Sequence, residues 1–236
     1  MRVGLDKLTL LDYPGKMAAI IFFPGCNMQC PFCQNADIAY GDNPSLPTTI
    51  DEVLKYLEQR KNVLDGVVIS GGEPLMRDIE DILHKIHDLG YSIKIDTNGT
   101  NPGLLQYYIR EGLVDYIAMD IKNSQKLYAK TCGLNPFTFM IGSILESIDI
   151  IMRSGIEYEF RTTVVNPIHT VDSIRDIGRK LIFGAERYYL QPFVKSDPVM
   201  QRPFEEPTDD FMVQALKAVK PYVKNCAIRG RDIPAE

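Results

Sequence analysis

Residues 66–96 read GVVISGGEPLMRDIEDILHKIHDLGYSIKID, and they hold one complete structural unit. Gly66–Ile69 is a short apolar run suited to a buried strand. Ile79, Ile82, Leu83 and Ile86 then recur at helical spacing, with Gly90 where a helix C-cap belongs. Ser92–Asp96 is a second strand. A strand, a helix and a strand joined by short links imply parallel pairing. The alternation continues in both directions. Strands are expected at Ala18–Phe23, Tyr116–Asp120, Tyr158–Val165 and Arg187–Leu190. Helices are expected from Ile50, behind the capping box Thr49/Glu52, and at Gly103–Glu111, Ile141–Met152, Val171–Leu181 and Asp209–Val219, the last with Thr208 as N-cap. Six such units are fewer than the eight of a closed barrel. The expected fold is therefore α/β, a partial (β/α)6 TIM-like barrel. Residues 1–236 form one domain in this reading: an N-terminal extension (1–16), a barrel core (17–195) and a C-terminal tail with a helix (196–236). Asn43–Pro47 and Ser196–Pro207 are Pro-rich surface connections, too short for interdomain linkers.

The 236 residues carry 26 basic and 31 acidic side chains, a net charge of −5. That balance argues against a broad phosphate-binding footprint, so no nucleic-acid partner is expected. No apolar run reaches membrane-spanning length, and Met1–Leu10 lacks a signal-peptide pattern. A cytoplasmic protein is expected. Five cysteines are too few and too unevenly placed for a disulfide scaffold, which points to metal ligation or catalysis.

Three of the five lie in Cys26-Asn-Met-Gln-Cys30-Pro-Phe-Cys33, just after the first strand. Thiolates are preferred ligands of iron–sulfur clusters and of zinc. A structural zinc site would want a fourth ligand, and none is nearby in sequence. A redox pair at Cys30 and Cys33 would leave Cys26 unexplained. From the spacing alone, a cluster competes with these readings and with inert buried thiols.

C-x-x-x-C-x-x-C with an aromatic before the last cysteine resembles the signature of the radical S-adenosylmethionine (SAM) superfamily. Ser70-Gly71-Gly72-Glu73-Pro74 resembles its Gly-Gly-Glu motif, and Asp96-Thr97-Asn98-Gly99 and Asp120-Ile121-Lys122 follow in order. Each motif ends a predicted strand, where α/β barrels gather their chemistry. The resemblance implies a 4Fe–4S cluster on Cys26, Cys30 and Cys33, whose fourth iron is chelated by the methionyl group of SAM. Reductive cleavage of SAM would then give methionine and a 5′-deoxyadenosyl radical. It further implies that Gly71 and Gly72 let backbone approach the methionyl ammonium with Glu73 nearby, that Phe32 packs beside the adenine, and that Asn35 is a pocket residue. Asp96, Thr97, Asp120 and Lys122 match positions that in pyruvate formate-lyase activating enzyme surround the methionyl carboxylate and a monovalent cation.

The opening, Leu11-Asp12-Tyr13-Pro14-Gly15, resembles the entry of glycyl-radical-enzyme activases, and among these the anaerobic ribonucleoside-triphosphate reductase activating proteins. The resemblance implies hydrogen-atom abstraction from a glycine of a large partner enzyme, with Asp12 and Arg161 near the barrel mouth contacting the partner's glycine loop. A flavodoxin or ferredoxin would supply electrons. Gln191-Pro192-Phe193-Val194 lacks the histidine that follows the last barrel strand in pyruvate formate-lyase activases, and the chain lacks the cysteine-rich insert that some activases carry for additional clusters. The alternatives are an activase of another glycyl radical enzyme, a radical SAM enzyme acting on a small molecule, and a non-enzymatic iron–sulfur electron-transfer module. His84 and His87 fall on the polar side of their helix, His169 reads as a local cap, and Cys132 and Cys226 have no visible partner.

Overall fold

The structure is a computed structural model that describes residues 1–40, 46–139, 141–195 and 204–231. The strands are β1 (Arg2–Thr9), β2 (Ala18–Phe23), β3 (Thr48–Thr49), β4 (Gly66–Gly71), β5 (Ser92–Thr97), β6 (Tyr116–Asp120), β7 (Glu157–Val164), β8 (Arg187–Pro192) and β9 (Asn225–Ile228). The helices are α1 (Ala36–Tyr40), α2 (Ile50–Glu58), α3 (Glu80–Asp88), α4 (Pro102–Arg110), α5 (Tyr128–Thr131), α6 (Gly142–Arg153), α7 (Val171–Lys180) and α8 (Asp209–Val219). Among the described residues no helix is long and apolar enough to cross a membrane.

All strands join one sheet in the order β3-β1-β2-β4-β5-β6-β7-β8-β9. From β2 to β9 every pairing is parallel, while β1 runs antiparallel to β2 and to β3. β3 and β9 do not pair, so the barrel is open along one side, as the expected partial barrel requires. The capping box of α2 is formed, with the Thr49 side chain accepting from the Glu52 N–H and the Glu52 carboxylate accepting from the Thr49 N–H. Thr208 caps α8 by accepting from the Phe211 N–H.

The two end segments differ from the expectation of an extension and a tail. Residues 2–9 form β1, paired on both sides with β3 and β2, and residues 225–228 form β9, an edge strand of the sheet. Both are short on apolar alternation because one of their faces lies over the polar interior described below. The short helices α1 and α5 were also not anticipated; five and four residues leave no periodicity to read. The connection at Asn43–Pro47 lies outside the described residues except for Leu46 and Pro47, and that at Ser196–Pro207 except for Phe204–Pro207.

Strand alternation sorts the side chains into two layers. Ile21, Phe23, Ile69, Ile93, Ile95, Ile117, Met119, Phe160 and Leu190 point outward and form the main core with the helices. The inner face is closed at its lower end by Tyr13, Ala18, Ile20, Val68, Tyr116 and Ala118. Above them the inward positions turn polar. Glu159 has no solvent exposure. It is held by both nitrogens of the Arg229 guanidinium at 2.6 and 2.7 Å and accepts from the Tyr116 hydroxyl at 2.8 Å. Arg229 in turn lies over the Tyr189 ring, 3.8 Å from its centroid. A bidentate pair of this kind locks the segment after β9 to β7.

Removing one partner would strand a buried charge. Arg229→Met is expected to cost about 2–4 kcal/mol in urea denaturation, below the fully buried range because Arg229 keeps some solvent contact. Adding Glu159→Gln to that variant should recover most of the loss. A neutral single variant would show that the pair contributes nothing.

Candidate active site

The cysteine loop leaves β2 through Pro24-Gly25 and lies against the loop that leaves β4. The Gly72 N–H donates to the Phe23 carbonyl at 2.9 Å and the Glu73 N–H to the Gly25 carbonyl at 2.8 Å. Gly71 has φ of +119°, and a Cβ there would stand 2.4 Å from the Phe23 backbone. A Cβ on Gly72 would stand 2.0 Å from the Gly25 oxygen. The two glycines therefore serve first to bring two loop backbones together. Their approach to a ligand is secondary to this, although both also line the cavity below.

That cavity, of about 400 Å³, opens at the C-terminal ends of the strands. Its size suits a nucleoside-containing ligand. Cys26, Cys30, Cys33, Phe32 and Asn35 line it from the cysteine loop; Asp96, Thr97, Asp120, Lys122 and Arg161 line it from β5 to β7 and the segments after them. The sequence-predicted residues are thus brought together with one exception. Glu73 points away from the cavity and is 1% exposed. It accepts from the Leu75 N–H, the Thr97 hydroxyl and the Asn98 N–H at 3.1, 2.8 and 2.6 Å. Its carboxylate ties the β4 loop to the β5 loop and does not face a ligand.

Phe32 is packed edge-on between His169 and Phe204. Asn35 donates to the Gly71 carbonyl at 3.1 Å, bracing the cysteine loop on β4. His169 does more than cap a turn. Its Nδ1 accepts from the Val165 N–H at 3.0 Å and its Nε2 lies 2.8 Å from the Lys122 carbonyl. An N–H can only donate and a carbonyl only accept, so the ring is the neutral Nε2–H tautomer. Burial holds its pKa below the usual histidine value, with both backbone contacts opposing that. His84 is exposed beside Glu80, as its place on the polar face implied.

Burial pushes the Cys26 thiol up to about 11 and the Cys33 thiol upward as well. Cys30 moves the other way, to about 7, because the Cys132 thiol donates to it. Cys132 is fully buried, and the Gln29 N–H donates to its carbonyl at 2.8 Å. Its contact with the loop could not be read from a lone Thr-Cys-Gly. Among the described residues no three cysteine, histidine or carboxylate groups converge as one metal ion requires. Three thiols spread along a cavity wall fit a cluster that offers each a separate iron.

Across the cavity runs a ladder of alternating charge. Lys94 bonds Asp96; Arg161 reaches Asp96 at 3.5 Å and Asp120 at 3.0 Å; Lys122 reaches Asp120 at 3.0 Å. Burial alone would raise the Asp120 carboxyl, but Arg161 and Lys122 outweigh it and hold the group well below the usual range. Burial likewise disfavours charged Lys122, and Asp120 and Cys30 more than offset it. Within the ladder three cations meet two carboxylates, and Lys122 and Arg161 are the two of them that line the cavity. The Ser70 hydroxyl occupies the second Asp96 oxygen at 3.1 Å. Each oxygen of Asp96 and Asp120 thus meets at least one protein donor. Lys94 was overlooked in the sequence, yet Ile93-Lys94-Ile95-Asp96 alternates, which marks the charged pair as inward-facing.

Asp12 is exposed in the β1–β2 connection, bonded to the Thr9 hydroxyl. It precedes β2, so it sits at the opposite end of that strand from the cysteine loop and not at the mouth. It still lines the same cavity, together with Asp6 on β1. The cavity therefore extends along β1 and β2, where Asp6, Ile20 and Phe22 line it.

Residues 20–181 match the family model of the radical SAM superfamily. A Methanocaldococcus jannaschii protein provisionally named glycyl-radical enzyme activating enzyme MJ1227 is 31% identical over 231 residues, covering 96% of this chain and 94% of its own. The pyruvate formate-lyase-activating enzyme of Clostridium pasteurianum is 31% identical over 126 residues, 51% of either chain. A crystal structure of a radical SAM methyltransferase from Sphaerobacter thermophilus shares the fold, with a TM-score of 0.69 at 16% identity over 97% of this chain and 70% of that one. The chain belongs to the radical SAM superfamily and, within it, to the glycyl-radical-enzyme activating enzyme family. The cofactors of the superfamily are a 4Fe–4S cluster and SAM.

Burial raises the Glu73 carboxyl to about 7, against the pull of its three donors. The folded protein then keeps a proton that the unfolded chain releases near 4.5. The stability this proton contributes is complete below 4.5 and lost as pH rises through about 7. Glu73→Gln should therefore gain on the wild type in urea midpoint between pH 5 and pH 7.5. A difference that stays constant across that window would contradict the assignment.

Proposed function

We propose that this protein activates a glycyl radical enzyme, by removing a hydrogen atom from a backbone glycine of that enzyme, and that its target is an anaerobic ribonucleoside-triphosphate reductase. The observation that carries the reading is a single cavity lined by Cys26, Cys30 and Cys33, by Asp96, Asp120, Lys122 and Arg161 of the charge ladder, and by Asp6 and Asp12. When bound, the cluster and SAM supply one-electron cleavage of a carbon–sulfur bond and a carbon radical able to abstract hydrogen.

The chain's own residues bind and orient. Cys26, Cys30 and Cys33 hold three irons. Gly71 and Gly72 offer backbone at the methionyl ammonium, and Phe32 and Asn35 shape the wall beside the cysteine loop. Lys122 and Arg161, held in place by Asp120 and Asp96, present positive charge to the methionyl carboxylate, with Thr97 beside them. Lys122 is the more available of the two, since it meets one carboxylate and Arg161 meets two. Asp12 lies where a peptide entering through the open edge would pass and can accept its backbone N–H groups. The target preference rests on the Asp12-Tyr13-Pro14-Gly15 opening and on the missing histidine after β8. A low-potential flavodoxin or ferredoxin in a reducing cytoplasm fits the one-electron requirement and the free thiols.

Anaerobic reconstitution with iron and sulfide, reduction and addition of SAM should release 5′-deoxyadenosine, and Cys30→Ala should abolish it. With an anaerobic ribonucleotide reductase added, a glycyl-radical EPR doublet should appear, and Asp12→Asn should lower the radical formed per 5′-deoxyadenosine released by about ten-fold, the loss of one charged hydrogen bond. A doublet only with a pyruvate formate-lyase would reassign the target. A loaded cluster without SAM cleavage would favour an electron-transfer module.

A further inference from the structure

Asn98 lies just after β5 and is 5% exposed, yet it has no part in the cavity roles assigned above. Its side chain sits in a closed ring of hydrogen bonds. Asn98 Oδ1 accepts from the Thr100 N–H at 3.0 Å and from the Thr100 hydroxyl at 2.6 Å. The Thr100 oxygen accepts from Asn27 Nδ2 at 2.8 Å, and Asn27 Oδ1 accepts from Asn98 Nδ2 at 2.9 Å. A backbone N–H can only donate, so the Asn98 atom facing Thr100 must be oxygen and the amide cannot be flipped. Its nitrogen is thereby fixed on the other side, where it also donates to Cys26 Sγ at 3.9 Å. The Asn98 backbone is held as firmly, because its N–H is buried against Glu73.

Cys26 thus receives two donors, Asn98 Nδ2 and the Met28 N–H at 3.5 Å. Met28 belongs to the cysteine loop and moves with it. Asn98 comes from a different strand, and it is oriented by three groups that do not touch the sulfur. We propose that Asn98 is a positioning residue that raises the reduction potential of the cluster by donating to the Cys26 thiolate. The inference rests on Cys26 being a cluster ligand, as in the function proposed above. Reduction adds one electron and takes the cluster from 2+ to 1+, increasing the negative charge on its sulfurs. A donor aimed at a ligand sulfur therefore stabilises the reduced state more than the oxidised one. Glu73 acts one step further out, by holding the Asn98 backbone in place.

The test is a redox titration of the reconstituted full chain, followed by EPR of the reduced cluster, with dithionite or a photoreduced flavin as the electron source. Asn98→Asp keeps the shape and replaces the donor by an acceptor. At a fixed ambient potential the ratio of reduced to oxidised cluster should fall about ten-fold, which for one electron is a shift of ~59 mV to the negative. Thr100→Val leaves Asn98 in place but removes the hydroxyl that locks its amide, and it should shift the potential in the same direction by less. It also decides the matter if Asn98→Asp does not load. Midpoints equal to wild type at equal cluster content would overturn the proposal, as would failure of both variants to load a cluster that the wild type loads. A wild type that assembles no 4Fe–4S cluster would instead overturn the assignment of Cys26.

Discussion

Two backbone hydrogen bonds and two missing Cβ atoms hold the loop after β2 against the loop after β4, and the rest of the site is built outward from that contact. The cysteine loop contains no regular structure of its own until α1, so its position depends on what it touches. Gly71 and Gly72 let the neighbouring loop reach it. Asn35 braces it on β4, and Cys132 with the Gln29 N–H fixes its middle. Glu73, with its side chain turned inward, extends the same fastening to the loop after β5. Three successive strand ends are thereby tied into one rim. A thiol-bearing loop on a rigid rim is what a cluster needs, because its ligands must be in place before the metal arrives.

The charge ladder depends on register in a different way. Parallel strands in register set Asp96 level with Ala118 and Asp120 level with Arg161. Lys94 and Asp96 are two residues apart on one strand and so share its inner face. Any single one of these ions would be expensive inside a barrel. Together they neutralise one another to within one charge, and Lys122 and Arg161 bring the cationic side of the ladder to the cavity. The ladder is both the filling of the barrel and part of the binding wall.

Much of this was legible in the sequence. Several interior strands were readable because each is an apolar run followed at once by a polar motif, as in Val67–Ile69 before Ser70-Gly71-Gly72 or Ile117–Met119 before Asp120. The clustering of those motifs followed from strand direction alone. The orientation of Glu73 was not legible, since a carboxylate beside two glycines looks the same in sequence whether it faces a ligand or the core; only three donors on the inner side decide it. The strands β1 and β9 were hidden because one face of each meets a polar interior, so their apolar residues do not alternate cleanly. Cys132 and Asn98 act through contacts between segments far apart in the chain, for which a single sequence has no local sign. The place of Asp12 was misjudged because β1 runs opposite to its neighbours, and this carries the following turn to the far end of the sheet.

The unpaired edges of β3 and β9 leave the barrel as a slot rather than a funnel. A funnel open only at its top admits a free molecule or the loose end of a chain. A slot open along its length also admits the middle of a chain laid in sideways, with both flanking stretches continuing outside. A backbone carbon in the interior of a large folded partner is reachable only in the second way. The missing strand pair that costs the sheet its closure therefore suits the proposed action on an internal glycine, since a bent loop can enter such a slot without the partner having to unfold.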